Sequence, residues 1–349
     1  MNTYESADMK SNLPTNTLII AELSANHGGS LETALATVRK AKACGADAIK
    51  IQTYTADTIT LDCDNEYFQI QQGTLWDGTT LHKLYQEAYT PWEWHAAIQA
   101  EAQKEGLIFF STPFDPTAVD FLETLAVPLY KIASFEITDI PLIEYAASKG
   151  KPMIISTGIA TLADIEAAVH ACRRVGNSDI TLLKCTSSYP APVDEANLLT
   201  IPNLAQTFGV KVGLSDHTLG HAVAIAAVAL GARVIEKHFI LDRAIGGPDA
   251  SFSLTPDEFR QMVDGIRAAE MALGCVSYEL TEKVAASRKF ARSLFVSQDI
   301  AAGDVLTPQN VRSVRPNDGL PPVELPKVLG RKVKQNIPMG TPLSWDLLV

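Results

Sequence analysis

Cysteine is scarce in this 349-residue chain: five residues, none of them in a Cys-x-x-Cys pair. That excludes a disulfide frame or a zinc ribbon, and Cys44, Cys63, Cys172, Cys185 and Cys275 read as reduced, mostly buried thiols. No apolar run approaches the ~18 residues of a membrane helix, so no membrane span is expected. The opening MNTYESADMKSNLPTN lacks both the basic start and the apolar stretch of a secretion signal, which predicts a cytoplasmic location. Positive charge is also in deficit. Lys and Arg number 29 against 40 Asp and Glu, a formal net charge of −11. Such a chain repels nucleic acid and anionic membranes, and no basic stripe offsets this, so neither is expected as a partner. Any positive charge offered to an anionic substrate must be gathered locally. No G-x-G-x-x-G follows the first apolar run, which disfavours a doubly wound dinucleotide fold.

What is present is core-forming material: 46% of residues are hydrophobic, which excludes disorder for most of the chain. Eight short apolar runs alternate with helical patterns. They are TLIIAEL (17–23), DAIKIQT (47–53), LIFFSTP (107–113), LYKIASF (129–135), PMIISTG (152–158), ITLLKCT (180–186), VKVGLSD (210–216) and RVIEKHF (233–239). Near-continuous hydrophobicity suits parallel strands covered on both faces. Segments such as LETALATVRKAKACG (31–45) and LADIEAAVHACRRVG (162–176) carry helical periodicity and close on Gly. Eight βα units over about 260 residues match a (β/α)8 TIM barrel, an α/β fold.

Each run ends on polar residues: Glu22; Lys50 with Gln52; Thr112; Lys131 with Ser134; Ser156; Thr186 with Ser187; Ser215 with His217; Glu236 with His238. In a barrel those ends converge on one mouth, where this fold builds active sites. The spacing of Lys50/Gln52, Ser215/His217 and Glu236/His238 turns both members of each pair to one side of the strand. His217 and His238, on neighbouring strand ends, can share one divalent metal or stand as hydrogen-bonded rim histidines. His27, close to Glu22 and Asn26, reads equally as a ligand, a substrate contact or a loop cap. Lys50 and Lys131 with Thr112, Ser134, Ser156 and Ser215 form a natural anion site. The alternatives for these lysines are ion pairs with Glu22 or Glu236, or imine formation as in a Schiff-base aldolase. The long connection 54–91 reads as a binding loop carrying Asn65, Tyr67, Trp76, Asp77 and Tyr89, or as an inserted helix packed on the rim.

Beyond Gly274 the pattern changes to a charged helical stretch and then a Gly/Pro-rich tail. DIAAGDVLT (299–307) and NIPMGTPLS (336–344) form a weak internal repeat, read as two related hairpins. The organisation expected is a polar segment over 1–15, a catalytic barrel over 16–275, a linker over 276–289 and a small β-rich domain over 290–349.

Taken in order, IIAELSANHGGS, DAIKIQTY, FFSTPFD, LYKIASFE, MIISTG, KCTSSYP, GLSDHT, EKHF and GGPDASFSL resemble the sialic acid synthase family, and the tail resembles that family's antifreeze-like (SAF) domain. LSANH, the segment 57–78 and EAYTPWEW (87–94) look like the branch that makes pseudaminic acid. Leu23-Ser24 replace the Ile-Gly pair usual in the neuraminic acid branch, and Ser187 stands where that branch has Asn. The resemblance implies a phosphoenolpyruvate-condensing transferase acting on a diacetamido-trideoxy hexose, with N-acetylneuraminate or legionaminate synthesis as the alternatives. It implies Mn2+ or Mg2+ on His217 and His238, and Glu22 beside the reacting carbon. Phosphoenolpyruvate would lie on Lys50, Thr112, Lys131, Ser134, Ser156, Ser187 and Ser215. The sugar would lie on Gln52, Phe114, Glu136, Tyr189 and Asp249, with Arg315 delivered from the partner of a domain-swapped homodimer. A non-catalytic carbohydrate- or ice-binding role for the tail is disfavoured by the polar barrel mouth.

Overall fold

The computed structural model describes residues 16–71, 73 and 76–349; the polar segment 1–15 lies outside the described residues. Eight parallel strands close in sequence order into a barrel, as expected: β1 (Leu18–Glu22), β2 (Ala48–Thr53), β3 (Ile108–Pro113), β4 (Tyr130–Ile132), β5 (Met153–Ser156), β6 (Ile180–Cys185), β7 (Lys211–Asp216) and β8 (Val234–His238). β1 closes the ring by pairing with both β2 and β8, which sets Glu22 opposite Lys50 on one side and His238 on the other.

Two apolar clusters build this body. The larger packs the outward faces of the strands against the helices; Ile19, Ile49, Phe109, Ile155, Leu182 and Ile235 belong to it. The smaller holds Ile20, Ala48, Phe110, Leu129, Ile154, Leu183 and Val234. Two residues further along each strand come Glu22, Lys50, Thr112, Lys131, Ser156, Cys185 and Glu236, which share one recess. Period-two alternation therefore stacks a polar layer directly on an apolar plug. On β7 the plug position is Gly213, where a Cβ would lie 2.3 Å from the Val234 carbonyl oxygen.

The connection 54–91 contains the helices Ala56–Ile59 and Leu81–Ala88 and an isolated bridge between Gln69 and Thr80. Among the described residues, no helix is long and apolar enough to cross a membrane. All five cysteines are free, with Cys44, Cys172 and Cys185 buried.

The chain divides into two compact units after Gly274. In the second, β9 (Ser293–Val296) pairs antiparallel with β10 (Val311–Val314) over a core that includes Leu294, Val296, Ile300, Val333 and Ile337. The tail repeat does not form two hairpins. Its copies lie antiparallel against each other: Ile300 and Ile337 exchange N–H···O bonds of 2.9 and 2.8 Å. The leading polar residues act reciprocally, Asp299 Oδ1 accepting from Met339 N and Asn336 Oδ1 from Ala302 N, each at 2.8 Å. Neither copy has enough apolar surface to be stable alone, so each uses the other as its partner strand.

His95 pins the far end of the long connection. Fully buried, its ring lies 2.8 Å (Nε2) from Thr53 Oγ1 and 3.2 Å (Nδ1) from the Pro91 carbonyl. Burial holds its pKa down to about 4, so it is neutral at pH 7, Nδ1–H donating to Pro91 and Nε2 accepting from Thr53. A histidine lowered on folding binds fewer protons in the native than in the unfolded state between about pH 4 and 6.5. Its stabilisation is complete above 6.5 and lost as pH falls toward 4, by up to about 3 kcal/mol. Urea unfolding between pH 7 and 4.5 should therefore show a smaller loss of stability in His95→Gln than in the unsubstituted chain; parallel losses would show that His95 does not titrate in this window.

Candidate active site

The mouth of the barrel buries four charged side chains together. Lys50 Nζ lies 2.6 Å from Glu22 Oε2, 3.8 Å from Glu236 Oε2 and 3.1 Å from Thr112 Oγ1. Lys131 Nζ lies 3.7 Å from Glu236 Oε1 and donates to the Ile132 carbonyl at 3.1 Å. Ser215 Oγ donates to Glu236 Oε1 at 2.9 Å. Burial pushes Glu22 up to about 7, against the pull of Lys50. Burial also lowers Lys131. For Lys50, burial is outweighed by Glu22 and Glu236, which raise it. For Glu236, burial is outweighed by Lys131 and Lys50, which lower it.

Beside this lattice stand His217, one residue past β7, and His238, the last of β8, with ring centroids 5.4 Å apart. His217 Nδ1 lies 3.1 Å from the Thr186 carbonyl and 3.8 Å from Cys185 Sγ. His238 Nδ1 is buried without a hydrogen-bond partner, 3.6 Å from Asp249 Oδ2. Burial, reinforced by His217 and Lys50, holds His238 well below the usual histidine range. Burial alone pushes the Cys185 thiol up, but the adjoining His217 and Ser134 outweigh it and bring the thiol down to about 7. A neutral, desolvated imidazole with an unpartnered nitrogen, next to a second imidazole, suits a divalent cation. Among the described residues no group of three or more His, Cys, Asp or Glu forms a cage, so an ion held by this pair would keep positions open for water or substrate.

These groups line a recess of about 60 Å³ together with Gln52, Ala133, Ser134, Ser156 and Tyr189. Its aromatic wall is Tyr189, 4.5 Å from the His217 ring, and behind the histidines Phe252 packs 5.0 Å from the His238 ring. Trp76 from the long connection comes within 5.6 Å of Tyr189 and donates from Nε1 to the Pro248 carbonyl at 3.3 Å. The connection thus combines packed helices with a segment that reaches the site.

A NeuB family model matches residues 37–278 and a SAF domain model residues 291–349. The chain belongs to the NeuB family. It is 49% identical to the pseudaminic acid synthase of Campylobacter jejuni, over 95% of this chain and 97% of that protein. It is 37% identical to the N,N'-diacetyllegionaminic acid synthase of Legionella pneumophila, over 94% and 93%. Among solved structures, the N-acetylneuraminic acid synthetase of Leptospira borgpetersenii, bound to citrate, superposes with a TM-score of 0.70 at 32% identity, covering 78% of this chain and 90% of that one. The expected sialic acid synthase family, barrel and SAF domain are all borne out.

Within this NeuB chain, Glu22, Lys50, Gln52, Thr112, Lys131, Ser134, Ser156, Tyr189, Ser215, His217 and His238 face one recess. Ser187 lies behind Cys185, 3.9 Å from its sulfur, and Asp249 lies behind His238. Phe114 packs edge-on against Tyr54. Glu136 is largely buried in the turn after β4 and is pushed up to about 7 by that burial, with Oε2 unpartnered. His27 is buried, its Nδ1 accepting from Gly29 N at 3.1 Å, which makes it a loop cap. Arg315 lies just past β10, in the second unit.

Sequence reasoning gave no site role to Cys185 or Gly158, and read Glu236 only as a mouth residue and alternative ion partner for the lysines. Glu236 precedes His238 by two residues and Cys185 follows Leu183 by two, so alternation alone places both inward. Gly158 carries no such signal. A Cβ there would lie 2.1 Å from Ser187 Oγ, 2.7 Å from Ser134 Oγ and 3.1 Å from Cys185 Sγ, while its N–H donates to Ser134 Oγ at 3.0 Å. Gly158→Ala should displace both hydroxyls and weaken phosphoenolpyruvate binding, measured by calorimetry, about tenfold; unchanged affinity would show that the recess adapts to the methyl.

Proposed function

We propose that this chain is a pseudaminic acid synthase, condensing phosphoenolpyruvate with 2,4-diacetamido-2,4,6-trideoxy-β-L-altropyranose and water to give pseudaminic acid and phosphate. The observation that carries the reading is the mouth itself, with two buried lysines beside two histidines in a chain 49% identical to a pseudaminic acid synthase over nearly its whole length.

In this reading Lys50 and Lys131 hold the phosphate and carboxylate of phosphoenolpyruvate, with hydroxyls from Thr112, Ser134, Ser156, Ser187 and Ser215. The buried, unpartnered Ser156 Oγ suits that part. Gln52, Phe114, Glu136, Tyr189 and Asp249 receive the open-chain sugar with its aldehyde carbon toward C3 of phosphoenolpyruvate. The new C–C bond forms between those two carbons, water adds at C2, and the C2–O bond to phosphate breaks. Glu22 stabilises the positive charge developing at C2 and orients the water. Its carboxyl, held at about 7, suits a group that both holds and releases a proton near neutrality. A divalent ion, Mn2+ or Mg2+, on His217 and His238 would polarise the sugar's aldehyde oxygen as a Lewis acid. Holding both reactants in register supplies several kcal/mol more, in order of magnitude.

We place the reaction in the cytoplasm and in a domain-swapped homodimer, Arg315 of one copy completing the sugar subsite of the other. Phe135, Val193, Leu199 and Leu219, on loops following β4, β6 and β7, are each more than half exposed, an apolar rim suited to burial by a second chain.

Phosphate release from phosphoenolpyruvate tests the chemistry and the sugar together. Release with the diacetamido-trideoxy-altrose, abolished by chelator and restored by Mn2+ or Mg2+, is expected. Preference for N-acetylmannosamine or for the legionaminic acid precursor would keep the chemistry and change the sugar. Chelator-resistant turnover with borohydride trapping would make the lowered Lys131 an imine-forming residue instead. For the dimer, Arg315→Ala and His217→Ala chains mixed in one assembly should regain about a quarter to a half of full activity, since one composite site is then intact; heterodimers without rescue would rule out the shared site.

A further inference from the structure

Ser24 lies two residues past the end of β1, and its backbone is left-handed, with φ +47°. That conformation is free to glycine and disfavoured for any residue bearing a Cβ. Among the described residues only Ser24, Ala126 and Asn197 are non-glycines at positive φ, and of these Ser24 alone adjoins the recess. A strained backbone persists where surrounding contacts over-determine it, and here the contacts are those of the side chain. Ser24 is 4% exposed. Its Oγ accepts from Gln52 Nε2 at 3.0 Å, and the N–H of the next residue, Ala25, lies 3.5 Å from the Asp249 carboxylate.

This arrangement fixes a direction. Gln52 Nε2 is occupied by two acceptors, Ser24 Oγ and, at 3.3 Å, Glu22 Oε1. The amide therefore presents its carbonyl oxygen, rather than its N–H group, to the recess that Gln52 lines. Without that hydroxyl the Gln52 amide is free to turn over and offer a donor.

We infer that Ser24 is a positioning residue for the sugar, its strained backbone aiming one hydroxyl at the Gln52 amide so that Gln52 meets the sugar as an acceptor. The inference rests on the functional reading above and deepens it: Gln52 accepts from an N–H or O–H group of the sugar.

Two variants of the full-length, metal-loaded enzyme separate the hydroxyl from the strain. Ser24→Ala removes the hydroxyl and keeps the strain; Ser24→Gly removes both. Each should raise KM for the diacetamido sugar about 5- to 10-fold, as losing one or two hydrogen bonds does. KM for phosphoenolpyruvate should stay within about twofold, a split that general damage to the mouth would not produce. Ser24→Gly should melt above Ser24→Ala, because the two differ in left-handed strain. An unchanged sugar KM, or equal rises for both substrates, overturns the assignment. If the unsubstituted enzyme turns over no diacetamido sugar, the functional reading fails by itself; the melting order still tests Ser24, and Ser24→Gly melting at or below Ser24→Ala overturns the strain on which the assignment stands.

Discussion

Four charges that cannot reach bulk water hold the mouth of this barrel together. Lys50, Lys131, Glu22 and Glu236 are each less than a tenth exposed, and each is tolerable only because the others are there. Removing one partner from such a group leaves an uncompensated buried charge and destabilises by several kcal/mol, in order of magnitude. The rest of the architecture follows from that requirement. The apolar plug of Ile20, Phe110, Leu129, Ile154, Leu183 and Val234 excludes water from below and keeps the local dielectric low. Register between β1, β2 and β8 places Glu22 level with Lys50 and His238. The balance is also adjustable. With Glu22 held near 7, uptake of one proton releases Lys50 from its 2.6 Å partner and leaves it available to an incoming anion.

That local balance reconciles a chain of net charge −11 with an anionic substrate. Long-range attraction is absent, so selectivity must come from short-range, desolvated contacts. Ammonium groups buried to this degree act on a phosphate far more strongly than they would on the surface.

The barrel and its mouth were legible because both rest on period-two alternation, which side-chain identity records directly: an apolar residue followed two places later by Lys, Glu, Thr or Ser. Where function depends on something other than identity, the record is silent. Gly158 matters for the Cβ it lacks, and only the positions of Ser134 and Ser187 reveal that. Ser24 matters for its φ, which a serine in a polar loop does not announce. The tail repeat was visible as a repeat, but a local pattern favours the local solution, a hairpin for each copy. The pairing of Ile300 with Ile337 is a contact across 37 positions that no window of sequence contains. Glu236 was visible, yet its reading as a lysine's ion partner and its place in the site describe one geometry, since Lys50 and Lys131 both meet it.

The recess and the loop residues around it are supported differently. Lys50, Thr112, Lys131, Ser156, Ser215 and Glu236 all project from strands locked into the barrel, where a shift in one side chain is resisted by neighbours on both sides. Tyr189, Trp76, Asp249 and Ser24 project from loops or strand ends, and their positions depend on a few hydrogen bonds and ring contacts. Rigid elements hold groups to within fractions of an ångström, whereas loops tolerate substitution. In the proposed reading the strand-borne anion contacts can therefore stay constant while the loop contacts to the sugar change, which suits a family with members named for pseudaminic, legionaminic and neuraminic acids. On that argument the differences between such enzymes belong to loop side chains, and to the residues beneath that decide which face of an amide the sugar meets.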